Sequence, residues 1–240
     1  MHLPLSISPH GFLNLCLKSA QTLVPQNCEL CSGASREIAL CAACLAALPR
    51  LASRRCPVCA LPTLNGETCG ACLRHRPKFD RVDCALVYAF PANTLIQALK
   101  YDGKLAIAKV LAAVLTPAIG SRPDLILAMP LSKQRLRERG FNHALEIARF
   151  VARELDIPIA HDACRKMRDT PPQTALPWKE RAKNVRGAFA CDSDLAGKRV
   201  AIVDDVMTTG ATLNELAATL RKSGAREVSG WIAARTLQDG

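Results

Sequence analysis

The stretch from Val200 to Thr212 constrains the fold more than any other part of the sequence. It opens with a short apolar run, Val200 to Val203, and two aspartates follow at positions 204 and 205. A short apolar run bounded by charge is typical of a strand that is buried in a parallel sheet. Small and hydroxyl-bearing residues come next, and apolar residues at helical spacing then continue to about Gly224. The order of strand, turn and helix predicts an α/β fold.

The turn between this strand and this helix has the composition of a phosphate-binding loop. A turn that opens a helix presents unpaired backbone N–H groups, and the helix dipole adds partial positive charge there. Gly210 allows a ligand to approach the backbone closely, and the neighbouring threonine hydroxyls can add hydrogen bonds. The carboxylates of Asp204 and Asp205 suit the vicinal hydroxyls of a sugar, so the stretch predicts a site for a ribose 5-phosphate.

Two other interpretations of this stretch were considered. The first is an ordinary strand–turn–helix unit whose acidic end is solvated. The second is a phosphate-binding loop of an NTPase, which requires a lysine directly after the glycine. Ala211 occupies that position, so the NTPase interpretation does not fit.

Eight of the twelve cysteines form four Cys-x-x-Cys pairs in the N-terminal third of the chain. Each pair places two sulfurs on one side of a tight turn, and two such turns can form a tetrahedral Cys₄ zinc site. The spacing of the first two pairs recurs in the last two, which indicates a duplicated zinc ribbon. We expect sequential pairing; an interleaved arrangement and a redox role are the alternatives. The predicted zinc ligands are Cys28, Cys31, Cys41, Cys44, Cys56, Cys59, Cys69 and Cys72.

The cysteine region contains few large apolar residues, so burial alone would not fold it. A structural zinc site supplies on the order of 10–16 kcal/mol. We therefore expect zinc removal to unfold residues 28–72 and to leave the remainder of the chain folded. Four other cysteines stand alone and are expected to be small buried residues; they are Cys16, Cys84, Cys164 and Cys191.

Composition allows one or two domains and favours a location in the cytoplasm. The chain has 240 residues, of which 49% are hydrophobic, so it can bury a substantial core. It has no apolar run long enough to span a membrane, and its first residues, interrupted by Pro4 and Pro9, do not predict an export signal. The formal charge of +11 fits an anionic partner and equally fits solvated arginines around a phosphate site.

The remaining hydrophobic patterns predict the other elements of an α/β domain. Strands are expected at residues 82–90, 124–129, 163–167 and 227–234. Helices are expected at residues 93–118, with an interruption at 101–103, and from residue 143 to about residue 155. A polar hinge at 74–78 places the boundary between an N-terminal helix with the double zinc ribbon, residues 1–77, and the α/β domain, residues 78–240.

A cluster of cations follows the strand predicted at 124–129. Clustered cations in a turn at the end of a strand can hold an anionic leaving group. The alternative is a basic helix start whose side chains are solvated. The candidate residues are Ser132, Lys133, Arg135 and Arg139.

The stretch from Val200 to Thr212 resembles the phosphoribosyl pyrophosphate (PRPP) motif of type I phosphoribosyltransferases. The resemblance implies a parallel sheet flanked by helices, with the two acids on the ribose hydroxyls and the following loop on the 5-phosphate. It implies that the basic turn is the pyrophosphate loop. It also implies that the long polar stretch at 168–189 covers the transition state.

Further motifs, together with the zinc knuckles, resemble the ComF family of competence-related proteins. They are Lys100-Tyr101-x-Gly103, Arg139-Gly-Phe-Asn142, Thr170-x-x-Gln173 and Arg181-x-x-Asn184. The resemblance implies a small N-terminal double zinc ribbon followed by a type I phosphoribosyltransferase-like domain. It also implies a role in handling imported DNA during natural transformation.

Three functions remain open at this point. The first is a Mg²⁺-dependent phosphoribosyltransferase, in which Mg²⁺ and PRPP bind at the acids and the turn, and the loop from Gln173 to Arg181 excludes water. The second is a non-catalytic adaptor that binds a nucleotide or single-stranded DNA and docks a partner such as a DNA-translocating helicase. The third is a module that senses PRPP without turnover. No signature for an acceptor base is evident.

The candidate residues follow from these motifs. The catalytic candidates are Asp204, Asp205, Lys133 and Arg139. The candidates for PRPP binding are Asp204, Asp205, Met207, Thr208, Thr209, Gly210, Ala211, Thr212, Ser132 and Lys133. In the covering loop, Trp178 could stack on a base or could simply pack the loop closed.

Overall fold

The computed structural model describes residues 26–168 and 185–237. Packing divides the chain into two units, residues 1–47 and 48–240. The domain boundary that the sequence predicts between residues 77 and 78 remains a prediction. Several expectations lie outside the described residues, namely the helix before the first zinc knuckle, Cys16, Trp178 and the loop from Gln173 to Arg181.

The first unit contains one zinc-ribbon repeat. Strands β1 (Gln26–Asn27) and β2 (Ala34–Ser35) pair antiparallel. The turn between them carries the first Cys-x-x-Cys pair, and Ser32 in this turn is left-handed, with φ 60°. Helix α1 (Ala42–Ala46) begins directly after Cys41 and therefore carries the second pair.

The second unit begins with a copy of this repeat, displaced by 28 residues along the chain. A bridge between Arg55 and Pro62 takes the place of the paired strands. Ala60 corresponds to the left-handed serine and has φ 59°. Helix α2 (Gly70–Arg74) begins directly after Cys69. The predicted duplication of the ribbon is confirmed.

A four-stranded parallel sheet lies at the centre of the second unit. Its strands, in spatial order, are β3 (Arg81–Val87), β8 (Glu227–Arg235), β7 (Arg199–Met207) and β4 (Leu125–Ala128). Most of their side chains are buried, as expected for continuous apolar runs in a parallel sheet. Residues 158–160 extend the sheet beside β4, and residues 49–51 pair with the outer edge of β3.

Helices flank this sheet. They are α3 (Ala92–Tyr101), α4 (Ala106–Leu115), α5 (Lys133–Arg139), α6 (His143–Leu155) and α7 (Ala211–Lys222), with a 3₁₀ turn at Thr116–Ala118. Helices α4 and α6 pack on each other and on the sheet, and α7 packs on β8. The predicted interruption at 101–103 is confirmed, because α3 ends at Tyr101 and Gly103 is left-handed. Within the described residues, no helix has the length and apolar character that a membrane crossing requires.

The structure corrects two expectations near the candidate site. Strand β7 does not end before Asp204 but continues to Met207, because it keeps pairing with β8 after its pairing with β4 stops at Val203. The basic segment is a short helix, α5, instead of a turn. Ser132 caps its amino end, and left-handed Gly140 follows its last residue.

The expectation of a short strand at 163–167 is confirmed by β5 (Cys164–Lys166). This strand pairs antiparallel with β6 (Phe189–Cys191), an element that the sequence analysis did not predict. The lone cysteines Cys84 and Cys164 are buried, as expected, and Cys191 is half-buried.

Candidate phosphate-binding site and metal clusters

The loop from β7 to α7 has the geometry of a tight turn at the amino end of a helix. Gly210 is left-handed, with φ 82°, and a methyl group on it would lie 2.6 Å from Met207 Cε. The hydroxyl of Thr209 accepts a hydrogen bond from the N–H of Ala211 at 3.1 Å, so it orders the first turn of α7. The left-handed backbone angle favours glycine at position 210, and a larger residue would also have to displace the flexible end of the Met207 side chain. The loop therefore presents the amino end of α7 at the carboxyl edge of the sheet, where anions bind.

The two adjacent aspartates differ in their exposure to solvent. Asp205 is only 3% exposed, whereas Asp204 is half-buried. Asp204 lines a narrow cavity of about 30 Å³ together with Thr208 and Thr212 of the loop. Each carboxylate also accepts a hydrogen bond from the N–H of the following residue, at 2.9 Å for Asp204 and 2.7 Å for Asp205. Asp204 is therefore the acid that a ligand in the loop can reach.

A chain of charged side chains holds Asp205 in place. The Lys100 Nζ lies 2.6 Å from Asp205 Oδ2, and the His143 Nε2 lies 3.5 Å from the same oxygen. The other ring nitrogen of His143 lies 3.1 Å from Arg139 Nη1. The Arg139 guanidinium in turn lies over the ring of Tyr101, 5.3 Å from its centre. Side chains from α3, α5 and α6 thus converge on one buried carboxylate.

This arrangement separates the pKa values of the two acids. Burial opposes ionisation of Asp205, but the charges and hydrogen bonds of Lys100 and His143 together outweigh it, so the pKa of Asp205 lies far below its ordinary value. For Asp204, burial and then the charge of Asp205 raise the pKa above its ordinary value. Burial alone would lower the pKa of Lys100, yet the attraction of Asp205 leaves it raised. A cation beside Asp204 would favour ionisation of both acids.

The oxygens of both acids and a nitrogen of His143 lie within 4.8 Å of one another. Carboxylate oxygens are preferred ligands of Mg²⁺, which commonly binds one or two carboxylates together with substrate phosphates. The donor set at this edge of the sheet therefore fits a Mg²⁺ ion that arrives with a phosphorylated ligand.

A second cavity, of about 340 Å³, lies beside this network. Three cations, two aromatic rings and one acid line it, and Tyr101 is 71% exposed. Its lining residues are Lys100, Tyr101, Arg135, Glu138, Arg139 and Phe141. Of the residues predicted for the pyrophosphate loop, Arg135 and Arg139 line this cavity. Ser132 instead accepts the Arg135 N–H as a helix cap, at 3.4 Å, and Lys133 is exposed on the first turn of α5.

The eight paired cysteines form two separate clusters of four sulfurs. Within each cluster the sulfurs lie within 4.8 Å of one another, with Cys31 and Cys41 3.7 Å apart and Cys59 and Cys69 3.6 Å apart. A tetrahedral zinc–thiolate site with bonds of about 2.3 Å places its sulfurs about 3.8 Å apart. The clusters therefore fit structural zinc sites. Sequential pairing is confirmed: Cys28, Cys31, Cys41 and Cys44 form one cluster, and Cys56, Cys59, Cys69 and Cys72 form the other.

Backbone N–H groups prepare the second cluster for a metal. The N–H of Cys69 donates to Cys56 Sγ at 3.3 Å. Burial raises the pKa of the Cys56 thiol, but this and other backbone N–H groups outweigh burial and lower the pKa to about 7. A thiolate is the form that binds zinc, so these N–H groups favour Cys56 as a zinc ligand, whereas burial raises the pKa of Cys59 to about 11.

Comparison with known proteins identifies the family. The family described as phosphoribosyl transferase domain matches residues 142–235, and the family described as double zinc ribbon domain matches residues 19–73. Competence protein F of Haemophilus influenzae is 33% identical over 173 residues, which cover 68% of this chain and 76% of that protein. The chain belongs to the ComF family. The expected resemblance is confirmed, and so is the combination of a zinc ribbon with a phosphoribosyltransferase-like sheet.

Two further ComF-family relatives show how far the similarity extends. DNA utilization protein YhgH of Escherichia coli K12 is 33% identical over 169 residues, covering 67% of this chain and 74% of that protein. Competence protein ComFC of Streptococcus pneumoniae is 27% identical over 131 residues, covering 54% of this chain and 56% of that protein.

Lys100 and His143 of this ComF-family chain belong to the site in the structure, although no site role is predicted for them from the sequence. Both sit on helices whose inner faces are otherwise apolar, and His143 is 4% exposed. Lys100 lies four residues after buried Ile96, which places a charge near the apolar face of α3. A charged residue at such a position signals a buried partner, but the partner, Asp205, is remote in sequence.

Proposed function

We propose that this ComF-family protein binds PRPP, or the 5′-phosphate of a nucleotide, at the loop between β7 and α7. The observation that carries the proposal is the left-handed Gly210 at the amino end of α7, a backbone angle that favours glycine. The half-buried carboxylate of Asp204 directly precedes this loop. Backbone N–H groups for a phosphate and a carboxylate for sugar hydroxyls are thus combined at the carboxyl edge of a parallel sheet, where ligands of such sheets bind.

The two acids have different roles in this proposal. Asp204 receives the ribose hydroxyls and contributes to Mg²⁺ binding. Asp205 is paired with Lys100 and His143, so it orients the end of β7 and supplies fixed negative charge close to the ion. The loop from Thr208 to Thr212 holds the 5-phosphate through its N–H groups and hydroxyls. Mg²⁺, when bound, neutralises charge on the phosphates.

The cavity lined by Lys100, Arg135 and Arg139 is suited to the pyrophosphate group of PRPP. In a phosphoribosyl transfer, the bond between C1 of the ribose and a pyrophosphate oxygen breaks, and pyrophosphate leaves with added negative charge. Fixed cations beside the leaving group stabilise that charge. The acceptor is the component that this chain leaves unassigned, so binding of PRPP is the part of the function to test first.

The test compares two glycines that have similar backbone angles. Gly210→Ala forces a methyl group against Met207, whereas Gly197, with φ 70°, has nothing within 4 Å of the methyl position. Both substitutions introduce left-handed strain of about 1–2 kcal/mol, but only the first also places a methyl group in the phosphate loop, where the end of the Met207 side chain must move aside. We expect Gly210→Ala to weaken the affinity for Mg²⁺–PRPP by about tenfold or more in isothermal titration calorimetry, and Gly197→Ala to leave it unchanged.

Two results would contradict the proposal. One is the absence of PRPP binding by the wild-type protein in the presence of Mg²⁺. The other is equal PRPP affinity of the wild type and Gly210→Ala, with both proteins folded.

A second candidate function is the binding of single-stranded DNA, and the cavity beside α5 favours it. Exposed Tyr101 offers a ring for stacking, and Arg135 and Arg139 offer cations for phosphates. The relatives are named for competence and DNA utilization, which supports a role in DNA handling. In this role the ribbons would dock a partner such as a helicase.

Salt dependence separates this candidate from small-molecule binding. The logarithm of the affinity for single-stranded DNA should fall linearly with the logarithm of salt concentration, with a slope of about −0.7 per phosphate contact. Replacing Arg137, which is exposed on α5 and does not line the cavity, by serine should remove about one contact from that slope and leave PRPP affinity nearly intact. Arg135→Ser should weaken the binding of both ligands. Arg153→Ser, on the exposed side of α6, is the matched control. A flat salt dependence would exclude DNA as the ligand.

A further inference from the structure

Arg235 connects the second zinc cluster with the phosphate loop. It is the last residue of β8 and is only 1% exposed. Its Nε donates to the carbonyl of Cys59 at 3.2 Å, and its Nη1 donates to the carbonyl of Met207 at 3.0 Å. The same Nη1 also donates to the carbonyl of Thr208. One buried guanidinium therefore contacts a zinc knuckle on one side and the first peptides of the phosphate loop on the other.

These contacts fix the direction of the loop N–H groups. A peptide unit is planar, so a hydrogen bond to its carbonyl sets the orientation of the N–H on the opposite side of the same plane. The carbonyls of Met207 and Thr208 belong to the planes that carry the N–H groups of Thr208 and Thr209. Arg235 holds both carbonyls, that of Met207 together with the N–H of Thr236 at 3.1 Å, and so helps to set the direction of two N–H groups of the loop.

The charge of Arg235 requires compensation from the zinc cluster. Among the described residues, the acceptors of its hydrogen bonds are backbone carbonyls, which do not neutralise a buried cation. Zn²⁺ with four thiolates has a net charge of about −2, because each thiolate contributes −1. The loaded cluster thus provides the negative charge that a buried guanidinium needs.

We propose that Arg235 is a positioning residue through which zinc in the second cluster sets the geometry of the phosphate loop. Phosphate affinity then depends on metal at Cys56, Cys59, Cys69 and Cys72, whereas metal in the first cluster has no such effect. The inference rests on the proposed phosphate-binding function of the loop. The order of the loop can nevertheless be measured without a ligand, so the two proposals can fail separately.

The duplicated ribbon provides a matched pair of variants. Cys69→Ser removes a thiolate from the second cluster, and Cys41→Ser removes the equivalent thiolate, 28 residues earlier, from the first. We expect Cys69→Ser to accelerate hydrogen exchange in a peptide covering residues 207–212. The same variant should weaken binding of inorganic phosphate and Mg²⁺–PRPP by about tenfold, the effect of losing one hydrogen bond to a charged group. Cys41→Ser should behave like the wild type in both measurements.

Substitutions of Arg235 test the same coupling between the second zinc cluster and the phosphate loop without changing a zinc ligand. Arg235→Met keeps the length of the side chain and removes its charge and donors, so it should reproduce the effects of Cys69→Ser in the zinc-loaded protein. Arg235→Lys restores the charge with a single ammonium group, so it should give exchange rates and phosphate affinities between those of the wild type and Arg235→Met.

Stepwise zinc removal from the Cys41→Ser protein keeps the test valid if the Arg235 variants do not fold. The remaining zinc is then in the second cluster, and circular dichroism reports whether the sheet is intact. We expect exchange at residues 207–212 to rise with zinc loss before the circular dichroism changes. The proposal is overturned if the loop responds only when the whole sheet unfolds, or if Cys41→Ser and Cys69→Ser have equal effects. Absence of PRPP binding by the wild type, with zinc-dependent exchange retained, would overturn only the proposed function.

Discussion

The two zinc ribbons have the same local structure but different surroundings. Each begins with a Cys-x-x-Cys turn that contains one left-handed residue, Ser32 or Ala60, and each closes with a short helix after the third cysteine. In the first ribbon Cys31 is exposed, and two further ligands are half-buried. In the second ribbon Cys59 is 6% exposed and Cys72 is 7% exposed. The first ligand of each cluster, Cys28 or Cys56, is buried, so the two metal sites of identical spacing differ in the exposure of their other ligands, which is greater in the first ribbon.

The difference shows that the surroundings of a zinc site, and not its cysteine spacing, determine which part of the protein the bound metal stabilises. The second ribbon is continuous with the sheet, because residues 49–51 pair with β3 and Arg235 reaches the carbonyl of Cys59. Its cysteines also belong to the same apolar cluster as Phe79 and the buried residues of β7. From the sequence, we expect zinc removal to leave the α/β part folded, and this expectation makes no distinction between the two ribbons. The structure leads to different expectations for the two.

Removing one ligand from each ribbon should produce the largest difference between them. Cys72→Ser and Cys44→Ser occupy equivalent positions, and each should reduce the zinc content from about two ions per chain to about one. A structural zinc site is worth on the order of 10 kcal/mol, so Cys72→Ser should lower the melting temperature of the sheet by about 10 °C or more. Cys44→Ser should leave that transition in place. Metal analysis and differential scanning calorimetry measure both quantities, and equal melting temperatures would contradict the comparison.

A substitution beside the buried carboxylate of the phosphate site should reduce stability by an intermediate amount, and this reduction should not depend on zinc. Lys100→Met leaves Asp205 buried without its closest cation, which should destabilise the protein by about 3–5 kcal/mol at neutral pH. The zinc content should remain that of the wild type. Lys222→Met, at the exposed last turn of α7, is the control and should change stability by less than about 0.5 kcal/mol.

The pH dependence of this effect follows from the depressed pKa of Asp205. In the wild type the pair contributes stability above the unfolded-state pKa of about 3.9, and that contribution is lost as pH falls toward the lower folded-state pKa. In Lys100→Met, the ionised form of Asp205 loses this stabilisation. As pH falls, protonation of Asp205 removes the energetic cost of burying its charge. The difference in unfolding free energy should therefore be largest near pH 7 and shrink toward pH 4. Denaturant titrations at several pH values measure it, and a constant difference would show that Asp205 is not the cause.

The sequence predicted the features of this molecule that depend on residues close together in the chain. The zinc ligands and the loop at Gly210 follow from residue spacing and from backbone demands within a few positions. The contacts of Lys100, His143 and Arg235 join segments that are far apart in sequence, and no local pattern indicates such partners. The length of β7 also escaped prediction, because pairing with β8 carries the strand through two acids that locally disfavour it.

The smallest expected difference between the ribbons concerns their left-handed residues. A non-glycine residue in this conformation costs roughly 1–2 kcal/mol, and glycine removes most of that cost while it loosens the unfolded chain. Ser32 is exposed, so Ser32→Gly should stabilise the first ribbon by up to about 1 kcal/mol. Ala60 is 0% exposed, and Ala60→Gly loses a buried methyl group worth about 0.8 kcal/mol, so the two effects should nearly cancel. Competition with a chromophoric chelator measures the zinc affinity of each ribbon. Equal gains in zinc affinity in both ribbons would show that the burial of the second ribbon does not change the effect of glycine at this turn.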